Sequence, residues 1–162
     1  MLTRSLVPRL LLSLTLMTIP IIAQTPSFAV HSDAELKQHF AKLLEDAKKS
    51  PAGSGLLYID NFGNYTTLLV ARVHSGEAEQ HELWADQMVV LTGTITVVTG
   101  GTIKDGHALP NQTGETRGPS IEGGKEIVMH PGDVAHIPAG LPHWVKLAPN
   151  TTCTYIVFKE KT

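Results

Sequence analysis

Cysteine occurs once in the 162-residue chain, at Cys153, so no intrachain disulfide can brace the fold. Charged side chains are also scarce, 17% of the total, and nowhere do lysines and arginines gather into a basic stripe. That excludes the electrostatic footprint of a nucleic-acid-binding protein and gives no reason to expect docking on an anionic membrane. Beyond residue 22 no apolar run approaches the length of a membrane span. No internal repeat is visible, and the length is too small for two comfortable domains, so one domain is expected. Its stability has to come from a packed core. Cys153 lies in an apolar strand pattern, Thr152–Lys159, which predicts a buried, inert thiol.

What is present begins with an export signal. Arg4 and Arg9 precede an apolar run from Leu10 to Ile22, interrupted by Pro20, and Ser27-Phe28-Ala29 fits a small-x-small cleavage site. Residues 1–29 are therefore expected to be a secretory signal peptide, with a cut after Ala23 as the competing site. The product would be extracellular, or periplasmic in a bacterium. Its removal leaves 11 basic against 15 acidic side chains, a mildly acidic surface. Asn64, Asn111 and Asn150 each head an Asn-x-Thr triplet, which marks them as candidate N-glycosylation sites in a eukaryotic host.

Residues 30–55 read as a helix and a linker. Ser32-Asp-Ala-Glu35 has the form of a capping box. Leu36, Phe40, Leu43, Leu44 and Ala47 follow at helical spacing, as far as about Lys49. Residues 56–162 read as strand. Short β-type runs at Leu56–Ile59, Thr66–Val73, Gln87–Leu91, Thr94–Val98, Glu126–His130, Val134–Ile137, His143–Leu147 and Thr152–Lys159 are separated by Gly- and Pro-rich punctuation. Many short strands at close spacing indicate a sandwich or barrel. Gly100–Gly124 lacks apolar periodicity and is expected to be a long loop, a candidate lid.

The chain is organised around Gly132-Asp-Val-Ala-His-Ile-Pro138-Ala-Gly140-Leu-Pro-His143. Proline and glycine force a tight turn there, and an imidazole, a natural metal ligand, projects from the start of the next strand. The run resembles the second motif of the cupin superfamily: Gly, five residues, Pro, one residue, Gly, two residues, His. Gly132, Pro138, Gly140 and His143 occupy the four anchor places, while Leu147 stands where the family often has Asn. Upstream, Glu79-Gln-His81-Glu-Leu-Trp-Ala-Asp86, six residues and then Gly93 resemble the first motif. With a four-residue spacer, Glu79 and His81 take the two His places and Asp86 the Glu place. With a three-residue spacer, Gln80 and Glu82 would take the His places and His81 would face outward. The first register is preferred because it converges two histidines and two carboxylates.

The resemblance implies an all-β fold, a single cupin-type, jelly-roll-like β-barrel with one N-terminal amphipathic helix, and a homodimer. It also implies a metal site of Glu79, His81, Asp86 and His143. Two neutral imidazoles and two carboxylates balance a divalent cation in charge. Such mixed N/O ligands favour Fe(II) or Mn(II), with Zn(II), Ni(II) or Co(II) as alternatives. Glu79 is also a candidate base beside the metal, and His136, on the strand before Pro138, a second proton carrier. Trp84 and Trp144 are read as core packing. Since fold does not fix function, two expectations stand side by side. One is a metal-dependent enzyme of oxygenase or isomerase/lyase type acting on a small organic molecule. The other is a non-catalytic small-molecule-binding or storage-type protein, with or without metal.

Overall fold

The computed structural model describes residues 28–162, so the expected export segment lies outside the described residues apart from Phe28 and Ala29. Helix α1 (Asp33–Lys49) is capped by Ser32, whose hydroxyl oxygen accepts from the Glu35 amide at 3.2 Å. Asp33 and Glu35 sit at its positive end and Lys48 and Lys49 at its negative end, as the helix dipole favours. Thirteen strands follow. They are β1 (Ser54–Asn61), β2 (Tyr65–Arg72), β3 (Ala78–His81), β4 (Trp84–Thr92), β5 (Ile95–Thr99), β6 (Thr102–Lys104) and β7 (His107–Ala108). The rest are β8 (Glu115–Gly118), β9 (Ser120–Glu122), β10 (Lys125–Met129), β11 (Val134–Ile137), β12 (His143–Lys146) and β13 (Cys153–Lys161).

These strands form a five-stranded sheet in the order β1-β2-β13-β4-β11 and a six-stranded sheet in the order β10-β5-β12-β3-β8-β7, with β6 and β9 as a small separate pair. Inward side chains of the two large sheets, among them Val70, Met88, Val90, Val97, Val145 and Tyr155, make one core. Phe40 and Leu43 of α1 cover the outer face of the five-stranded sheet against Leu69 and Ala71. Because side chains alternate along a strand, β2 serves both cores at once. Cys153 is fully buried in the inner core, and burial pushes its thiol up to about 11.

Two expectations change. Among the described residues no hydrogen-bonded strand pair joins the two large sheets, so the architecture is a two-sheet sandwich and not a closed barrel. Alternation in sequence reveals which face of a strand is buried but not whether edge strands meet. The span from Gly100 to Gly124 is not one loop; it carries β6 to β9. Glu115 and Arg117, two apart on β8, are charged residues in an interior-facing phase, so no apolar period marks the strand.

The turn from β4 to β5 depends on Gly93. Its φ is +75°, and a Cβ there would collide with the Thr152 carbonyl oxygen. Gly140 also has positive φ, +77°, but open space around it. Gly140→Ala is expected to cost only the conformational penalty of about 1–2 kcal/mol. Gly93→Ala adds a backbone clash and should cost at least about 3 kcal/mol. Denaturant unfolding of the two variants checks this order.

Candidate metal centre

Strand register assembles the site. In the six-stranded sheet His143 lies opposite Glu79 across β12 and β3, and Glu79 and His81 lie opposite Arg117 and Glu115 across β3 and β8. In the five-stranded sheet Asp86 of β4 lies opposite Lys159 of β13. The strands thus make cross-strand pairs of opposite charge on the inner faces, where such pairs are favourable. Glu79, His81, Asp86, Glu115, Arg117 and Lys159 line one cavity of about 1190 Å³, whose apolar wall includes Leu68, Met88 and Val157.

Each candidate ligand is held through one atom and offers another. The His143 Nδ1–H donates to the Leu141 carbonyl oxygen at 3.1 Å, and a carbonyl can only accept, so Nε2 carries the lone pair. The Glu115 carboxylate accepts from His81 Nδ1–H at 2.7 and 2.8 Å, which sets the same tautomer in His81. Both Nε2 atoms are buried without a hydrogen-bond partner, and the two rings meet edge to face with centroids 5.1 Å apart. Glu79 gives one oxygen to the Arg117 guanidinium, while its Oε1 lies 3.4 Å from His143 Nε2. Asp86 accepts from Lys159 Nζ at 2.6 Å on Oδ1, and its Oδ2 lies 3.5 Å from His81 Nε2 and 3.9 Å from His143 Nε2.

Glu79, His81 and His143 bring one ligand atom each within 4.8 Å of the others. Asp86 is outside that trio but adjoins both imidazoles. A cation bonded at about 2.0–2.2 Å holds neighbouring ligand atoms roughly 3.0–3.5 Å apart, so modest contraction of these distances would accommodate one. Two orphaned imidazole nitrogens facing carboxylate oxygens are the donor set such an ion requires. The residues present fit a divalent metal.

The electrostatics follow from burial. Burial holds His143 down to about 4, with the neighbouring His81 adding to the depression. Burial also pulls on His81, but Asp86 beside Nε2 and Glu115 on Nδ1 outweigh it and hold this imidazole above its usual range, so in the metal-free protein Nε2 takes up a proton that metal binding displaces. Burial opposes ionisation of Asp86, yet His81 and Lys159 together hold its carboxyl below the usual range.

Of the residues singled out from sequence, Glu79, His81, Asp86 and His143 come together. His81 is 5% exposed and points inward, and Glu82 is exposed, so the three-residue spacer is not the one the fold uses. His136 does not join them. It lies opposite exposed Gln87, whereas its neighbour Ile137 lies opposite Asp86 on the inner face. Residues directly opposite share a face, so His136 looks away from the centre and is no proton carrier for it. Trp84 lines the cavity, and the Trp144 indole N–H donates to the Gly76 carbonyl oxygen at 2.6 Å. Sequence reading missed Glu115, Arg117 and Lys159. Lys159 carried a signal, since it shares the inward phase of Tyr155 and Val157; Glu115 and Arg117 carried none.

No family model matches the chain, and no curated protein does. Solved structures do match it. The protein TT1209 of Thermus thermophilus is 18% identical, with a TM-score of 0.51, over 69% of this chain and 87% of that one. A cupin-superfamily sugar phosphate isomerase from Silicibacter pomeroyi is 19% identical, with a TM-score of 0.48, over 74% and 65%. An oxalate oxidase solved with glycolate is 17% identical, with a TM-score of 0.49, over 69% and 53%, so this chain spans about half its length. At such identities the likeness is one of fold alone.

Two outcomes follow from the geometry. With its folded value depressed, neutral His143 contributes stability that is present above about pH 6.5 and lost as pH falls toward 4, a change of about 3 kcal/mol in the metal-free protein. Unfolding free energies of wild type and His143→Gln, measured by denaturant titration at each end of that window, should differ in their total change by this amount. Lys159→Met strands the Asp86 carboxylate and should destabilise the metal-free protein by about 2–4 kcal/mol at pH 7. Added divalent metal should restore much of that loss, as a melting scan with and without metal would show.

Proposed function

We propose that this chain, a protein of cupin fold, binds one divalent cation on Glu79, His81 and His143, with Asp86 as a fourth donor, and acts on a small organic molecule admitted through the cavity. The observation that carries the reading is the pair of buried, partnerless Nε2 atoms, both tautomers being set by hydrogen bonds at Nδ1. Buried polar atoms without partners are rare because each costs its full desolvation, and two that lie 3.4 and 3.5 Å from carboxylate oxygens suit a cation shared between them. Mixed nitrogen and oxygen donors favour Fe(II) or Mn(II), with Zn(II), Ni(II) or Co(II) as alternatives. A cation bound there supplies Lewis-acid polarisation or a redox centre.

The chain's own residues do the positioning. Glu115 orients the His81 ring and raises its basicity, and the Leu141 carbonyl does the same for His143. Arg117 pairs with Glu79, and Lys159 pairs with Asp86 and holds it ionised. This arrangement makes Glu79 a ligand before it is a base, since a carboxylate paired to a guanidinium is a weak proton acceptor.

One observation favours a second reading, a non-catalytic binder. Glu79, Asp86 and Glu115 are each committed to a cation or an imidazole, and His136 faces away, so among the described residues none of the carboxylates touching the two imidazoles is an uncommitted general base. Export through residues 1–29, a homodimer and glycosylation at Asn64, Asn111 and Asn150 belong to the same proposal. All three asparagines are exposed in turns or bends, where a glycan could attach.

Elemental analysis of protein purified without chelators or a metal-affinity tag tests the reading. Wild type should carry roughly one equivalent of a transition metal, and the double variant His81→Ala, His143→Ala less than about a tenth. Wild type that stays empty after reconstitution with each of the five metals contradicts it. Turnover of a small organic substrate that requires the bound metal separates enzyme from binder.

A further inference from the structure

Arg72 is a cation in the wall of the same cavity that the metal centre has no use for. Its Nε–H donates to the Tyr155 hydroxyl at 2.7 Å, which fixes the plane of the guanidinium. Among the described residues no carboxylate lies within 4.0 Å of it; Arg117, by contrast, pairs with both Glu79 and Glu115. The remaining Nη1 and Nη2 lie against Gly76, where a Cβ would come within 2.6 Å of Nη1, so the absence of a side chain at residue 76 makes the slot. A half-buried guanidinium tied through Nε to a hydroxyl, with no carboxylate on Nη1 or Nη2 among the described residues, can take a planar, bidentate anion.

Charge points the same way. Three carboxylates, Glu79, Asp86 and Glu115, face two cations, Arg117 and Lys159, at the centre. A bound dication leaves that cluster one positive charge in excess, and adding Glu77 and Arg72, which also line the cavity, leaves the excess at one. The cavity is also far larger than a two-carbon acid needs, and Leu68, Met88 and Val157 give it an apolar wall beside the charged centre.

We propose that Arg72 anchors a substrate carboxylate remote from the metal-binding end, so that the ligand is an organic acid with a short apolar spacer between two polar termini. This inference deepens the metal-site reading and rests on it. Arg72 and Gly76 line the same cavity as Glu79, His81 and Asp86, so one ligand can reach both recognised groups. Among the described residues the other guanidinium of the cavity, Arg117, is already paired to carboxylates, so Arg72 alone matches a carboxylate monoanion better than a phosphate dianion.

Calorimetric titration of the full chain loaded with Zn(II) tests this, using linear dicarboxylates from oxalate to suberate, the monoamide of the best binder, and its analogue ending in phosphonate. Affinity should peak at a chain length longer than oxalate, and the monoamide should bind about 10- to 100-fold more weakly than its parent. Arg72→Gln should cost the diacid a similar factor and leave the monoamide unchanged, with Arg72→Lys in between. The monoamide comparison uses wild type alone, so it stands even if a variant folds poorly. In metal-free protein the diacid should bind more weakly yet still depend on Arg72, which separates loss of the anchor from loss of the metal site. Tightest binding by oxalate or the phosphonate, no binding by any acid, or indifference to Arg72→Gln in folded protein would overturn the assignment.

Discussion

Two imidazole nitrogens that find no partner in the protein govern the rest of this structure. His143 is 1% exposed and His81 5%, and each spends its Nδ1 on an acceptor, leaving Nε2 aimed at the other ring's side of the same space. In an apolar interior such atoms are costly unless something electrophilic joins them. Everything nearby is consistent with that requirement. Carboxylate oxygens of Glu79 and Asp86 complete the surround, each with a cation on its far oxygen, and Lys159 with His81 keeps Asp86 ionised against the pull of burial.

The fold supplies this arrangement through register. Glu115, Arg117 and Lys159 need no special loop; each is the cross-strand neighbour of the residue it holds. A one-residue slip in β8 or β13 would turn its charge to the opposite face. The same inward alternation lines the cavity with aliphatic side chains at one level and charges at another. Tyr155 links the two functions, packing in the core while its hydroxyl steadies Arg72.

Much of this was legible in the sequence, and the limits have physical causes. The Gly132–His143 run specified its own turn because proline and glycine have few alternatives there, and Gly93 fixed the spacing back to His81 and Asp86. Alternating apolar residues identified most long strands. His136 was ambiguous because a strand residue has two faces and only its pairing with Gln87 decides between them. The sheets' failure to close depends on edge strands, which leave no pattern in sequence. Strand β8 was invisible for a different reason: its inward residues are charged, and their burial is compensated by partners far away in sequence.

X-ray absorption at the edge of the bound metal tests the central claim most directly. The account predicts two imidazole scatterers with oxygen donors at about 2.0–2.2 Å, reduced to one imidazole in His81→Ala. A metal with no imidazole scattering, or a spectrum unchanged in that variant, would contradict it.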